Sequence, residues 1–79
     1  MKNTRELIAE ELRSIRAIKK VSIEEVSKES QVSKDTIYRY ENNTTSMQID
    51  MLEKLLNYYD VDFDIFFTNI YAKKHNNKE

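Results

Sequence analysis

Within eight consecutive residues, KDTIYRYE from Lys34 to Glu41, the chain carries two cationic donors (Lys34, Arg39), a carboxylate (Asp35) and a hydroxyl that also bears a methyl (Thr36). If this run is a helix with Ile37 and Tyr40 turned inward, then Lys34, Asp35, Thr36, Tyr38 and Arg39 lie on or near its outward face. Those groups match the edges of base pairs. Arg39 and Lys34 can donate to guanine O6 and N7, Asp35 can accept from cytosine N4, and the Thr36 methyl can touch a thymine methyl. An ordinary solvated helix face has a similar composition, so the elements that hold the run decide between the two.

Catalytic chemistry has little to build on. His75 lies in a polar stretch, no serine or threonine has a base positioned beside it in sequence, and there is no glycine-rich phosphate loop because there is no glycine at all. Without cysteine, and with one histidine, neither a disulfide framework nor a zinc site is expected, nor any other metal or cofactor. The chain is not expected to be an enzyme. The opening MKNTRELIAEELRSIR mixes charges without a signal-peptide pattern, and no apolar run approaches membrane-spanning length, so a cytoplasmic protein that does not enter the membrane is expected.

The absence of both glycine and proline, with abundant Glu, Lys, Ile and Leu, predicts an all-α chain with short connections. Ser22 followed by Glu25 reads as a capping box that starts one helix, with Ile23, Val26 and Ser30 inward. Ser33 caps the next helix, which runs to about Glu41. Only Ser30 to Val32 separate the two, too few residues for a loose linker, so the helices meet at a steep angle. Ser27 is small where their axes come closest.

This corner resembles the helix-turn-helix of lambda-repressor-like DNA-binding domains, the Cro and CI type or XRE family, and the likeness runs from about Ile8 to Phe67. The family's pattern of leucine, small residue, turn glycine, valine, isoleucine and final glutamate falls on Val26, Ser27, Gln31, Val32, Ile37 and Glu41. Two glycines of the pattern are replaced. Gln31 stands at the turn, at a cost of about 1 kcal/mol, and Asn43 stands after the second helix, where asparagine is the next most tolerant residue. The resemblance implies a five-helix lambda-repressor-like fold. It also implies base contacts at Ser33, Lys34, Asp35, Thr36 and Arg39, and an ion pair between Arg16 and Glu41 that ties the first helix to the third. The family's phosphate-holding glutamine is Ile23 here. Backbone contacts are therefore expected from Lys19, Lys20, the helix start at Ser22, Tyr38, and Asn42, Asn43, Thr44 and Thr45 in the loop that follows.

Around the corner, Thr4 is expected to cap a first helix whose inward stripe is Ile8, Leu12, Ile15 and Ile18, ending near Lys19. NNTTSM, residues 42 to 47, reads as a loop. A fourth helix from about Gln48 to Tyr59 is expected to turn Ile49, Leu52, Leu55, Leu56 and Tyr59 inward, with Met47 and Met51 as core filler. The five tyrosines share no single face, which argues against a stacking platform. Asp60 to Asp62 make a turn into a last helix. The run VDFDIFFTNIY is more apolar than a small final helix needs, so Val61, Phe63, Ile65, Phe67, Ile70 and Tyr71 are expected to form a homodimer face. The helix-turn-helix domain is placed at 1 to 71, with a frayed polar tail from 72 to 79.

The formal charge of -1 is low for a partner of nucleic acid. Its distribution is uneven, since residues 1 to 40 carry net +2 and residues 41 to 79 net -3. The basic half holds the reading run. The function expected is a homodimeric, sequence-specific regulator on double-stranded DNA, a repressor at an inverted-repeat operator. The alternative is an interaction module, such as an antitoxin that binds a toxin or another protein; the acidic half, Gln31 and Ile23 speak for it.

Overall fold

The computed structural model describes residues 2 to 76. It has five helices and, among the described residues, no strand: α1 Thr4–Lys19, α2 Ile23–Ser30, α3 Lys34–Glu41, α4 Ile49–Tyr59 and α5 Phe63–Asn76. Helix α1 packs on α3 and α5, and α2 packs on α3 and α4. One core fills the space between them. It is built from Leu7, Ile8 and Leu12 of α1, Val26 of α2, Val32 in the turn, Ile37 and Tyr40 of α3, four residues of α4, and Phe66 and Ile70 of α5.

The helix starts follow local chemistry. Ser22 Oγ accepts the Glu25 amide at 3.0 Å and Ser33 Oγ accepts the Thr36 amide at 3.1 Å, so both helices of the corner begin where their serines stand. At Ser22 the expected box is only half made, because no return bond from the Glu25 carboxylate accompanies the serine cap. The full box is at the first helix, where Asn3 and not Thr4 is the cap. Asn3 accepts the Glu6 amide, and its own amide donates to the Glu6 carboxylate at 3.0 Å. Asparagine with glutamate three residues on outranks threonine with Leu7 in that position.

Three inward placements differ from the sequence reading. Ile18 is 76% exposed; ten residues beyond Ile8, at about 100° per residue, it is rotated about 80° off the stripe. Ile49 is also exposed. It is the first residue of α4, and side chains lean toward a helix's N-terminus, so it projects past the first turn. Ile70 reverses in the other direction: only 3% exposed, it belongs to this chain's own core and not to a dimer face. The expected frayed tail is helical from Ala72 to Asn76. Lys73 Nζ meets Glu11 Oε1 at 2.7 Å and Lys74 Nζ meets Thr4 Oγ1 at 2.9 Å, which fastens these turns to α1. Residues 77 to 79 of that tail lie outside the described residues.

Four junctions require left-handed backbone in a chain with no glycine to supply it: Lys20 (φ 57°), Gln31 (φ 66°), Asn43 (φ 56°) and Asp60 (φ 62°). Gln31 and Asn43 are the two positions where the family pattern has glycine. At Gln31 the Cβ clash costs about 1 to 2 kcal/mol. The extra freedom that glycine would give the unfolded chain costs about 0.4 to 1 kcal/mol. The first effect is the larger, so Gln31→Gly is expected to raise stability by about 1 kcal/mol in urea unfolding.

The tie between α1 and α3 is ionic. Arg16 Nε meets Glu41 Oε2 at 2.8 Å and Nη2 meets Oε1 at 3.0 Å, with the arginine side chain 26% and the glutamate 4% exposed. Arg16 Nη1 also donates to the Val21 carbonyl at 3.1 Å, and Arg13 donates to the Glu41 carbonyl. Arg16→Met would leave a buried carboxylate without its partner. It is expected to cost about 3 to 5 kcal/mol, whereas the double variant Arg16→Met/Glu41→Met recovers most of that loss, as read by urea unfolding at an unchanged denaturant slope.

Candidate nucleic-acid interface

Helix α3 is only eight residues long, too short to hold itself in water. Its position is imposed from the inner side, where Ile37 and Tyr40 are buried and Glu41 is bound to Arg16. Hydrogen bonding to Glu41 raises the Arg16 pKa further above its ordinary value, so this cation is permanent. Beneath the pair, burial pushes the Tyr59 hydroxyl pKa well above the usual tyrosine value, with the Glu41 charge adding to the effect. The tyrosine stays neutral in the core. Tyr40 adds a lock of its own: its hydroxyl accepts the Gln48 amide at 2.8 Å, joining the end of α3 to the start of α4. Gln48 itself makes no side-chain cap, so this bond is the anchor at the helix start.

The outer side of α3 carries the expected residues. Ser33, Lys34, Asp35, Tyr38 and Arg39 are exposed and Thr36 is half-buried. Several are engaged with protein groups. The Ser33 hydroxyl accepts the Thr36 amide and donates to Thr36 Oγ1 at 2.8 Å, which makes it first a helix cap. Lys34 lies 3.8 Å from Glu24 on the first turn of α2, and Arg39 lies 3.0 Å from Asp35 one turn back along α3. Asp35, Thr36, Arg39 and Tyr40 share a shallow concavity of about 330 Å³ with Thr45, Ser46, Gln48 and Met51.

The flanking candidates divide. Lys19, Lys20 and Ser22 are exposed around the entry to α2. In the loop after α3, the Asn42 side-chain amide donates to the Tyr38 carbonyl at 2.8 Å and Thr44 Oγ1 lies 3.5 Å from the Arg39 carbonyl, so both close the helix end. Asn43 Oδ1 accepts from Arg5 Nε at 2.6 Å. Thr45 is half-buried at the concavity. Sequence reasoning missed Arg5, whose partner is 38 residues away, and Glu24, Ser46 and Gln48. Only Glu24 left a signal, as an acid on the helix preceding Lys34. Among the described residues no group of side chains is arranged to hold a metal ion, and no helix is long and apolar enough to cross a membrane.

Comparison with known proteins agrees with this architecture. The helix-turn-helix family pattern matches residues 12–66. No curated protein sequence matches the chain. Two solved structures share the fold: a tyrosine-to-phenylalanine mutant of the restriction-modification controller protein C.Esp1396I and the wild-type protein. The first superposes with a TM-score of 0.83 at 20% identity over 100% of both chains. The second gives 0.81 at 19% identity over 91% of this chain and 95% of the other. The family match favours DNA binding over the interaction-module alternative. With the pattern covering more than half its length, including the whole corner from Ser22 to Glu41, the chain belongs to the helix-turn-helix family of DNA-binding transcriptional regulators.

Proposed function

We propose that the protein works in the cytoplasm as a homodimer that sets its two α3 helices into the major groove of an inverted-repeat operator and represses by occupying promoter DNA. The observation that carries this reading is the asymmetry of α3. Its inner face is locked by Ile37, Tyr40 and the Glu41 ion pair, while Lys34, Asp35, Thr36 and Arg39 are presented together outside. In this reading those four act at the base edges, with Ser33 holding the helix start. Lys19, Lys20, the backbone at Ser22, Tyr38 and the loop Asn42, Asn43, Thr44 and Thr45 act on the phosphates and fix the register. The fold shared with a restriction-modification controller protein supports a role as a controller of that kind.

The dimer face proposed is the outer side of α5 and its approach. Ile65 and Tyr71 are large and exposed there, and Val61, Phe63 and Phe67 are half-buried beside them; Ile70 is excluded by its burial. The Phe63 and Phe67 rings stack with centroids 5.8 Å apart, and Phe66 anchors the helix from beneath. Covering such a patch with its own copy removes apolar area from water on both partners.

Selection of bound sequences from a random DNA pool with the purified protein is expected to return a palindrome with half-sites about 34 Å apart, one helical turn. A folded protein that enriches nothing in low salt would refute the proposal. Ile65→Lys is expected to keep the helical content and shift the protein from dimer to monomer in sedimentation, weakening operator binding at least tenfold. An unchanged sedimentation coefficient would place the dimer face elsewhere.

A further inference from the structure

Two arginines of this chain meet carboxylates in opposite ways. Arg16 commits all three guanidinium nitrogens inside the fold, Nε and Nη2 to Glu41 and Nη1 to the Val21 carbonyl. Arg39 meets Asp35 with Nε, its closest approach being 3.0 Å to Oδ2, and both side chains stay open to solvent, 54% and 70% exposed. Nε is the nitrogen nearest the main chain and carries one of the five N–H groups. Among the described residues none of the five makes a hydrogen bond within the protein, so the planar fork of the other four, on Nη1 and Nη2, is open. That fork has the geometry guanine O6 and N7 accept from arginine.

A long exposed side chain loses rotamer freedom when it docks, and any contact that restrains it beforehand reduces that loss. Asp35 is well placed to do so. It stands one turn ahead of Arg39, the favourable order for an acid and a base on a helix, and its own side chain is short with few rotamers. Its place in the first turn of α3 is held by the Ser33 cap. The carboxylate also makes the immediate surroundings of Arg39 unfavourable for a phosphate. An unaccompanied arginine would bind the DNA backbone at any sequence.

We infer that Asp35 is a positioning residue for base readout: by drawing Arg39 into an ion pair one turn back along α3 it restrains the side chain for a guanine and keeps its fork off the phosphates. This rests on the proposal that the outer face of α3 meets base edges. The same mechanism explains why a protein of net charge -1 places an acid among its reading residues.

The test is base preference across a selected operator, measured for the full-length wild type, Arg39→Ala, Asp35→Ala, Asp35→Asn and the double alanine variant, with circular dichroism confirming the helices in each. Arg39→Ala is expected to erase a guanine preference at one position in each half-site, about tenfold or more. Asp35→Ala is expected to weaken the preference at that same position by about two- to tenfold, while affinity for unrelated DNA rises. Asp35→Asn, which keeps an acceptor at the same place, is expected to retain more of the preference. The double variant should lose no more there than Arg39→Ala alone. If Arg39→Ala changes one guanine and Asp35→Ala leaves that guanine's preference intact, the inference fails and the reading of α3 stands. If Arg39→Ala changes no position, both fail together.

Discussion

The orientation of α3 depends on one desolvated ion pair. Arg16 and Glu41 belong to helices on either side of α2, and among the described residues a carboxylate 4% exposed has no partner but that guanidinium to offset its lost hydration. A hydrophobic contact in the same place would hold the helices together at many rotations. A two-point bond between a planar fork and a carboxylate holds them at one. The Arg13 and Arg16 bonds to the Glu41 and Val21 carbonyls extend the grip to both ends of the corner. The outer face of α3 thus inherits its direction from a residue on α1.

The rest of the fold can be understood as support for that arrangement. Helix α2 packs on α3 and α4, and α5 packs on α1. Tyr40 turns an unpaired amide at the start of α4 into a strut between α3 and α4. Beside Arg39, the concavity is lined by α3, the loop at Thr45 and Ser46, and the start of α4 at Gln48 and Met51. Polar groups in the core are few; Ser30 Oγ accepts the Val32 amide at 3.2 Å inside the turn.

Much of this was legible in the sequence because it depended on local rules. Ser22 and Ser33 are strong caps at a spacing that leaves room only for a tight turn, and Val26, Ile37 and Tyr40 recur at the helical period. Gln31 and Asn43 were legible as left-handed positions through the family pattern, but Lys20 and Asp60, in the same conformation, carried no compositional sign. Asn3 and Thr4 are neighbouring cap-competent residues, and a one-residue choice depends on which carboxylate can reach back. Ile70 shows the limit of hydropathy. It marks a residue that needs cover without saying whether the cover comes from its own core or from another chain. The last turns of α5 looked like a tail because their residues are polar, and what holds them is a pair of lysine contacts with α1, invisible to any local window.

The pairing of Lys34 with Glu24 and of Arg39 with Asp35, together with an overall charge of -1, has a consequence for how the protein travels. Non-operator DNA holds a regulator almost wholly through cations that displace counterions. A regulator whose reading-face cations already have carboxylate neighbours displaces fewer of them. A genome's vast excess of other sites therefore sequesters less of the population. On the proposed function, residence on random sequence would be short, sliding tracks brief, and the search would proceed mainly by encounters from solution. A small number of copies would then keep an appreciable free concentration, and occupancy of an operator would follow changes in synthesis closely instead of being buffered by the chromosome.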